Sequence, residues 1–235
     1  MKPSNSLTLS VIIPTLNEAD HIGNLLEHLN ANSSPENINE IIVVDGGSTD
    51  ETASLAKTWG AKIISSEKGR AKQMNKGAAL AAGEVLYFLH ADTYPPKNFD
   101  LYILNAVHES ISSGCFRMKF DSSKKFLRFF AWFSRINNRL CRGGDQSLFI
   151  LKDLFRKSGG FNEKYIIYED TEFIGRLYKI SKFNVLPQHV VTSARKYEQL
   201  GTIRLQYHFG IIHLKNLLGF GPDKLYRYYK KNITS

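Results

Sequence analysis

Short apolar runs alternate with stretches of helical periodicity along the first hundred residues of the chain. The runs are candidates for buried strands, and they occupy residues 7–14, 41–45, 62–64 and 85–89. After the first run, apolar side chains recur at helical spacing, at Ile22, Leu25, Leu26 and Leu29. Strands that alternate with helices favour an α/β fold with a mainly parallel sheet covered by helices on both faces.

Local signals indicate where several of the predicted helices begin and end. Ser48 to Glu51 has the spacing of a capping box, and Gly60 would end the helix that this box opens. Residues 70–82 form the next predicted helix. A fourth helix is expected to start at Pro95-Pro96 and to run toward His108, because proline suits the first helical turn.

The second half of the chain has a less regular pattern. Strands are predicted over residues 115–120, 146–151 and 190–194, and helices over residues 168–180, 197–218 and 222–229. A chain of 235 residues suits one domain with an appendage. We expect a single domain over 1–195, with a nucleotide-binding half of about 1–100 and an acceptor half of about 101–195. Residues 196–235 would form a helical C-terminal segment packed on it.

Charge and cysteine content narrow the setting in which the protein works. The formal net charge of +9 points to an anionic partner such as a nucleotide, a phosphate or an acidic membrane surface. Cys115 and Cys141 suit neither a zinc site nor a disulfide framework, so we expect a reducing, cytoplasmic setting. Residues 1–6 do not resemble a secretory signal, and no run approaches the roughly twenty apolar residues that span a bilayer. Peripheral attachment to the inner face of the membrane stays open.

Residues 124–140 mix aromatic and cationic side chains, and three interpretations of this segment are open. Its aromatic residues are Phe126, Phe129, Phe130, Trp132 and Phe133. An amphipathic helix would pack these rings on the sheet and show its cations to water. The segment would otherwise face an acidic membrane or the acceptor, as interfacial helices do. Binding of single-stranded nucleic acid by stacking and phosphate contact is the third interpretation, and we do not expect it.

Two of the predicted strands lead into an aspartate that suits a nucleotide site. Asp45 precedes two glycines, which let the backbone turn sharply and approach a ligand. Asp92 follows the fourth strand, and Mg²⁺ or Mn²⁺ typically takes one or two protein carboxylates plus phosphate oxygens and water. His90 shares a strand face with Asp92, as a second ligand, a supporting donor or a core histidine. Ligands bind at the carboxyl ends of parallel strands, where Thr15 is also expected.

Further polar residues lie at the starts of two predicted helices and before one strand. Arg70 follows Lys68 and Gly69 at a helix start, where cations favour an anion, and Gln73 and Asn75 continue that helix.

Glu169 and Asp170 open an amphipathic helix. Their carboxylates are either favourable first-turn charges or a general base that removes a proton from an acceptor hydroxyl. Gly144, Asp145 and Gln146 precede a strand, where they form a plain turn or line the acceptor pocket.

Three ordered motifs in this chain resemble the family-2 inverting glycosyltransferases, which have a GT-A fold. The motifs are residues 11–18 (VIIPTLNE), residues 43–50 (VVDGGSTD) and Glu169-Asp170 before an apolar helix. A narrower set of motifs resembles the subgroup associated with arsenosugar biosynthesis and extends the similarity to nearly the whole chain. These motifs are residues 69–75, 89–93, 144–146 and 192–195.

This resemblance implies a role for each matching residue. Thr15, Glu18 and Asp45 would contact the nucleoside of the donor, Asp92 would bind the metal on its diphosphate, and Asp170 would be the base. The complete predicted donor set is Pro14, Thr15, Asn17, Glu18, Asp45, Gly46, Lys68, Arg70, Gln73, Asn75 and Ala91. The other predicted site residues are Glu169 beside the base, His90 beside the metal ligand, and Gly144, Asp145 and Gln146 for the acceptor.

Two positions depart from the pattern of the family. Gly46 stands where the family usually shows a second aspartate, and His90 stands where it shows the first aspartate of Asp-x-Asp. With one carboxylate fewer, the dependence on Mn²⁺ or Mg²⁺ is expected to be weaker or altered, while the site remains.

The expected reaction moves a sugar from a nucleoside-diphosphate sugar to an acceptor hydroxyl, by a metal-assisted single displacement with inversion. A nucleotidyltransferase is the alternative enzyme, but Pro14 to Glu18 replaces the glycine-rich, lysine-bearing loop it would need. A non-enzymatic basic binder of membranes or nucleic acid is the other alternative. Residues 195–229 would cover the active site or form a homodimer contact.

Overall fold

The computed structural model describes residues 7–234, so the prediction about the polar residues 1–6 lies outside it. The strands are β1 (Leu9–Thr15), β2 (Ile38–Asp45), β3 (Lys62–Ser65), β4 (Val85–Phe88), β5 (Thr93–Tyr94), β6 (Ser113–Phe120), β7 (Leu148–Leu151) and β8 (Phe183–Thr192).

Helices surround these strands and follow most of the predicted ranges. The α-helices are α1 (Ala19–Ala31), α2 (Thr52–Thr58), α3 (Arg70–Leu80), α4 (Phe99–His108), α5 (Lys125–Trp132), α6 (Lys152–Lys157), α7 (Glu169–Ile180), α8 (Arg195–Leu200), α9 (Thr202–Leu217) and α10 (Pro222–Asn232). Short 3-10 helices occupy Phe133–Arg135, Arg139–Cys141 and Gly144–Gln146.

All eight strands form one sheet, in the order β3-β2-β1-β4-β7-β6-β8-β5. The first four strands are parallel to one another, as the alternation of strand and helix predicts. In the second half, β7 is antiparallel to both β4 and β6, β8 is parallel to β6, and β5 is antiparallel to β8. The parallel arrangement therefore belongs to the half that contains β1 to β4, and the sheet as a whole is mixed.

Each face of the sheet carries its own apolar core. On one face, Leu25 of α1 and Ile103 of α4 pack against the outward side chains of β1 and β4. On the other face, Met74 of α3 and Phe173 of α7 do the same. The four α1 positions picked out by their spacing are all fully buried, so the periodicity located the buried face of α1.

Helix α2 begins without the predicted capping box. Ser48 donates its backbone N–H to the Asp45 carboxylate at 3.0 Å instead of capping a helix. The Asp50 carboxylate accepts the Thr52 N–H at 3.1 Å and also the Ala19 N–H at 3.2 Å. The prediction of a capping box is wrong because Ser48 hydrogen-bonds to Asp45 in the turn after β2 and is therefore not available to cap α2.

Two other predicted elements differ in extent. The helix predicted over 197–218 is divided into α8 and α9, because Gly201 has a φ of +83° that breaks the helical path. The strand predicted over 190–194 begins earlier, at Phe183. It is longer because parallel pairing with β6 extends from Phe183 to Thr192 and holds a half-polar segment extended.

The C-terminal helices form a third, smaller apolar core. Leu205 and Ile212 of α9 and Leu225 of α10 are buried against Ile167, which precedes α7. Ile167 ties this core to the main domain beside the start of α7. Among residues 7–234, no helix combines the length and apolar content needed to cross a bilayer.

Candidate active site

The carboxyl ends of β1 and β2 lie side by side, with Thr15 and Asp45 as register partners. Both side chains are buried. The Asp45 carboxylate accepts the backbone N–H groups of Gly47 at 3.1 Å and Ser48 at 3.0 Å, which fixes its orientation. The structure thus brings Thr15 and Asp45 together at the edge where the sequence predicts a nucleotide.

Gln73 and Gly46 support this edge from behind. The buried Gln73 amide donates to the backbone oxygens of Thr15 at 2.7 Å and Val44 at 2.8 Å, and so joins the ends of β1 and β2. A Cβ on Gly46 would lie 3.0 Å from the Gln73 amide nitrogen, so glycine allows this close approach. Both residues position the backbone at the edge of the predicted donor site.

The loop after β1 is tied to the loop after β2. Asn17 has a φ of +55°, and its side-chain oxygen accepts the Thr49 N–H at 2.9 Å. The Glu18 carboxylate lies 3.6 Å from the Arg195 guanidinium. Burial raises the pKa of Glu18, Arg195 opposes the rise, and the charge of Asp92 adds to it.

Four other predicted donor residues have different surroundings. Pro14 and Ala91 are buried at the ends of β1 and β4. Lys68 is exposed and makes no ion pair or hydrogen bond among the residues described. Asn75 accepts the Phe161 N–H at 2.9 Å and donates to the Phe161 oxygen at 2.9 Å. Its amide therefore joins α3 to the loop before α7, and the structure does not bring Asn75 to the site.

Arg70, at the start of α3, meets the carboxylates at the start of α7. Its Nε lies 2.6 Å from Oε1 of the fully buried Glu169, although neither Glu169 oxygen accepts a hydrogen bond of good geometry. His90 lies between two further carboxylates, with Nε2 3.7 Å from Asp170 Oδ2 and Nδ1 3.8 Å from Asp145 Oδ1. Two cations and three carboxylates thus form one network.

Adjacent carboxylates in this network titrate differently. Burial raises the pKa of Glu169 to about 7. The charge of Arg70 acts to lower this pKa, and the neighbouring charge of Asp170 acts to raise it further. Burial also acts to raise the pKa of Asp170, but His90 and Arg70 outweigh it and hold that pKa below its usual value. Of these two carboxylates, Asp170 lines the adjoining cavity and Glu169 does not.

The neighbours of His90 favour its cationic form. Burial lowers the pKa of His90, but the neighbouring carboxylate of Asp170, helped by Asp145, raises it to about 9. A protonated imidazole has no free lone pair on either nitrogen and cannot ligate a metal. The arrangement in this structure therefore favours a cation at His90, where the sequence left a metal ligand open.

Asp92 fits a divalent ion that takes most of its ligands from elsewhere. The half-buried carboxylate of Asp92 accepts no hydrogen bond from the residues described. Asp145 lies near it: burial raises the pKa of Asp145, and the charge of Asp92 raises that pKa further. No group of three or more His, Cys, Asp or Glu within 7–234 is arranged to hold a metal. Mg²⁺ and Mn²⁺ with one or two carboxylates and phosphate oxygens suit such a donor set.

The loop with Gly144 passes directly over the network. A Cβ on Gly144 would lie 2.2 Å from Asp170 Oδ2 and 2.7 Å from His90 Cε1, so only glycine fits there. Gln146 is buried and donates to the Cys141 oxygen at 2.7 Å, which makes it a support of the loop. Of the three predicted acceptor residues, Asp145 presents a half-exposed charged side chain.

A cavity of about 590 Å³ opens from this network toward the C-terminal helices. Its charged lining includes Arg70, His90, Asp92, Asp145 and Asp170. The sequence did not specify which residues of the C-terminal segment line the cavity, and they include Lys196, Tyr197, Phe209, Ile212, His213 and Tyr229. Residues on α8, α9 and α10 therefore cover the site. Local patterning could not find them because their place depends on the packing of the third core.

The aromatic side chains of 124–140 do not pack on the sheet. In α5 only Leu127 and Ala131 are buried, whereas Phe129 and Trp132 are 58% and 48% exposed. The interpretation as a helix that buries its rings is therefore wrong. The fully buried side chains of α5 are small or aliphatic. Its rings at Phe126, Phe129 and Trp132 are exposed to water, and the Phe130 ring is half-buried.

The fold and the site together define the class of protein. A four-stranded parallel half ends in carboxylates at one edge, and a mixed second half carries a candidate base beside a cavity, as in a GT-A fold. The sequence profile of Glycosyl transferase family 2 matches residues 10–160. The chain belongs to that family.

Relatives and solved structures agree with this assignment. The chain is 32% identical over 98 residues to glucosyl-3-phosphoglycerate synthase of Mycolicibacterium smegmatis, covering 38% of this chain and 32% of that protein. This chain thus matches about a third of that relative's length.

Two solved structures share the fold. Residues 1–349 of S. aureus TarS in complex with UDP-GlcNAc have a TM-score of 0.68 at 22% identity, over 80% of this chain and 58% of that TarS fragment. The mannosyltransferase PcManGT from Pyrobaculum calidifontis, in complex with GDP-Man and Mn²⁺, has a TM-score of 0.68 at 20% identity, over 96% and 70%. The predicted GT-A fold is confirmed.

Proposed function

We propose that this protein transfers a sugar from a nucleoside-diphosphate sugar to an acceptor hydroxyl with inversion at the anomeric carbon. The observation that carries the proposal is the position of Asp170, which lines the cavity between His90 and Gly144. Asp92 and the ends of β1 and β2 lie along the same edge of the sheet. Membership of Glycosyl transferase family 2 supports the same reaction.

The reaction is a single displacement in which Asp170 acts as the base. Asp170 takes the proton of the acceptor hydroxyl, whose oxygen forms a bond to the anomeric carbon. The bond from that carbon to the diphosphate breaks, and the nucleoside diphosphate leaves with the electron pair. Arg70 and His90 place positive charge beside the cavity, which stabilises the anionic base and the departing phosphate.

Asp92, with Asp145 near it, would hold a divalent ion together with the diphosphate oxygens. When bound there, such an ion supplies positive charge that stabilises the leaving group. Thr15, Glu18 and Asp45 form the proposed nucleoside side of the donor site.

Calorimetric titration with UDP, GDP, CDP and dTDP, each with and without Mn²⁺, tests the donor site. We expect metal-dependent binding of one diphosphate, and loss of that binding in Asp92→Ala. Asp223→Ala, an exposed aspartate in the first turn of α10, is the matched control and should bind as the wild type does. Absence of binding to all four nucleotides would refute the proposal.

We also propose that the chain falls in the subgroup associated with arsenosugar biosynthesis. Its four motifs are far apart in sequence but meet at one site. Arg70, His90 and Asp145 join the ionic network, and the Ser193 N–H donates to the backbone oxygen of Asp92 at 3.2 Å. This convergence supports a common function for the motifs.

An anionic membrane surface is part of the proposal, with a location at the inner face of the membrane. Lys125, Arg128 and Arg135 lie among exposed rings and pair with no carboxylate of the described residues. Both cysteines are free thiols, which suits a reducing compartment. The division at residue 195 and a homodimer remain predictions.

A further inference from the structure

The cavity beside Asp170 is lined by two kinds of side chain. The carboxylates and cations of the ionic network form part of its wall. Apolar side chains from four parts of the chain form another part, namely Phe130, Phe133, Leu140, Ile167, Phe209 and Ile212. A ligand that fills the cavity therefore meets both charged and apolar groups.

Several polar side chains around the cavity are already paired with one another. The pairs are Tyr168 with His213 at 2.6 Å, Tyr197 with Gln206 at 3.2 Å, and Lys196 with Tyr229 at 2.6 Å. An acceptor with hydroxyls along its whole length would break these bonds or leave some of its own hydroxyls without protein partners, which costs free energy. An apolar chain or ring needs no such partners.

Part of the apolar lining of the cavity is exposed. Leu140 is 53% exposed and Phe133 is 36% exposed, and both line the cavity. Covering such surface is favourable in proportion to the area removed from water. The cavity would gain binding energy from the apolar part of a ligand while Asp170 meets its hydroxyl.

We infer that the acceptor is amphipathic, an alcohol with an apolar chain or ring that lies between α5 and α9. Its hydroxyl is placed at Asp170, and its apolar part runs along Phe130, Leu140 and Phe209. This inference rests on the proposed glycosyl transfer, because Asp170 serves as the base for the same hydroxyl.

Maltose and n-alkyl maltosides with eight and twelve carbons are suitable probes, used below the concentrations at which they form micelles. Each fully buried methylene strengthens binding roughly fourfold. We expect the twelve-carbon probe to bind at least tenfold more tightly than the eight-carbon probe, and maltose to show no measurable binding by calorimetry. Equal affinity for the two chain lengths would overturn the inference.

Three substitutions locate the bound chain. Leu140→Ser should weaken binding of the twelve-carbon probe by about three- to tenfold. Leu80→Ser is the matched control, since Leu80 is 50% exposed at the end of α3, outside the cavity. Phe129→Ser tests the neighbouring groove on α5, which Phe129 lines and Leu140 does not. A loss in Phe129→Ser as large as in Leu140→Ser would place the probe on that groove and contradict the inference.

Nucleoside-diphosphate binding, measured on the same samples, separates this inference from the proposed function. Donor binding without chain-length dependence would leave glycosyl transfer standing and remove the amphipathic acceptor. Binding of the alkyl probes without any donor binding would remove the transfer reaction and, with it, the acceptor role of the cavity.

Discussion

Asp170 and Glu169 are adjacent in sequence, but the fold gives their carboxylates opposite surroundings. Glu169 points into the core and meets Arg70, whereas Asp170 faces the cavity beside His90. The first carboxylate is raised in pKa and the second is lowered. A base that is ionised over the whole neutral range is available for proton removal in the proposed displacement, and we propose that Glu169 positions Arg70, whose Nε lies 2.6 Å from its carboxylate.

Replacing Asp170 with asparagine removes the proposed base while keeping the shape of the side chain. We expect turnover to fall by roughly 10² to 10⁴, which is the usual contribution of a general base, with nucleoside-diphosphate binding retained. Initial rates of donor consumption and calorimetry measure the two effects. Asp153→Asn, in the exposed first turn of α6, should behave as the wild type. Near-normal turnover in Asp170→Asn would show that another group is the base.

Gly144 is expected to be essential because its backbone lies against the base. In Gly144→Ala the new Cβ would lie 2.2 Å from Asp170 Oδ2, so the loop or the carboxylate must move. A shift of this size should reduce turnover by about ten- to a hundredfold. Gly143→Ala is the control, since a Cβ there meets no atom within 4 Å. Equal turnover of both variants would mean that the loop adapts freely.

At the scale of elements, the carboxylate of Glu40 links three neighbouring parallel strands of the sheet. Glu40 on β2 accepts the Ser10 hydroxyl at 2.9 Å and the Ala82 N–H at 2.6 Å, and it pairs with Lys62 at 3.1 Å. Burial acts to raise the pKa of Glu40, but these partners outweigh it and hold the pKa below its usual value near 4.5. β1, β2 and β3 are joined at this point.

The stability that Glu40 provides should therefore depend on pH. A lowered pKa means that the stabilisation is present above about pH 4.5 and is lost as the pH falls through the folded-state pKa. We expect Glu40→Gln to lower the free energy of unfolding by about 1–2 kcal/mol at pH 7, with the difference shrinking below pH 4. Urea unfolding at both pH values measures it.

Glu36→Gln is the control for this comparison, because Glu36 is exposed on the loop before β2. It should leave the unfolding free energy unchanged at either pH. A Glu40→Gln effect that stays constant from pH 7 to pH 3.5 would mean that the carboxylate charge is not its cause.

At the scale of the whole molecule, exposed rings and positive charge coincide on one segment. Residues 122–144 contain no acidic residue, while the chain carries a net charge of +9. Phe129 and Trp132 are exposed between Arg128 and Arg135, and the Arg135 guanidinium lies 5.1 Å from the Trp132 ring. Aromatic and cationic side chains together are typical of a helix that lies on an anionic membrane.

Co-sedimentation with vesicles tests the proposed membrane surface. The wild type should bind vesicles with anionic lipid and not neutral ones, and Arg128→Glu/Arg135→Glu should reduce binding at least tenfold, because each cation contributes about 1 kcal/mol. Arg156→Glu/Lys157→Glu makes the same change of charge on α6 and should bind normally. Equal loss in both double variants would indicate net charge alone, and would contradict a specific surface.

The sequence located the elements of the first half because their signals are local. The α1 stripe at Ile22 and Leu25 and the apolar run of β4 are properties of neighbouring residues, and both elements occur as predicted. The extent of β8 and the break at Gly201 were missed. Pairing with β6 and the packing of the C-terminal core decide them, and neither is visible in a short window of sequence.

The sequence by itself determined the alternation of strands and helices and the carboxylates at the ends of two strands, because both are written along the chain, and its ordered motifs resemble a family with a GT-A fold. Only the tertiary structure decided that Asn75 serves the scaffold, that His90 lies between Asp145 and Asp170, and that Phe129 and Trp132 of α5 face water. These features depend on which distant segments meet. The burial and the charged neighbours of a side chain determine its role, and both depend on contacts between segments that are far apart in the sequence.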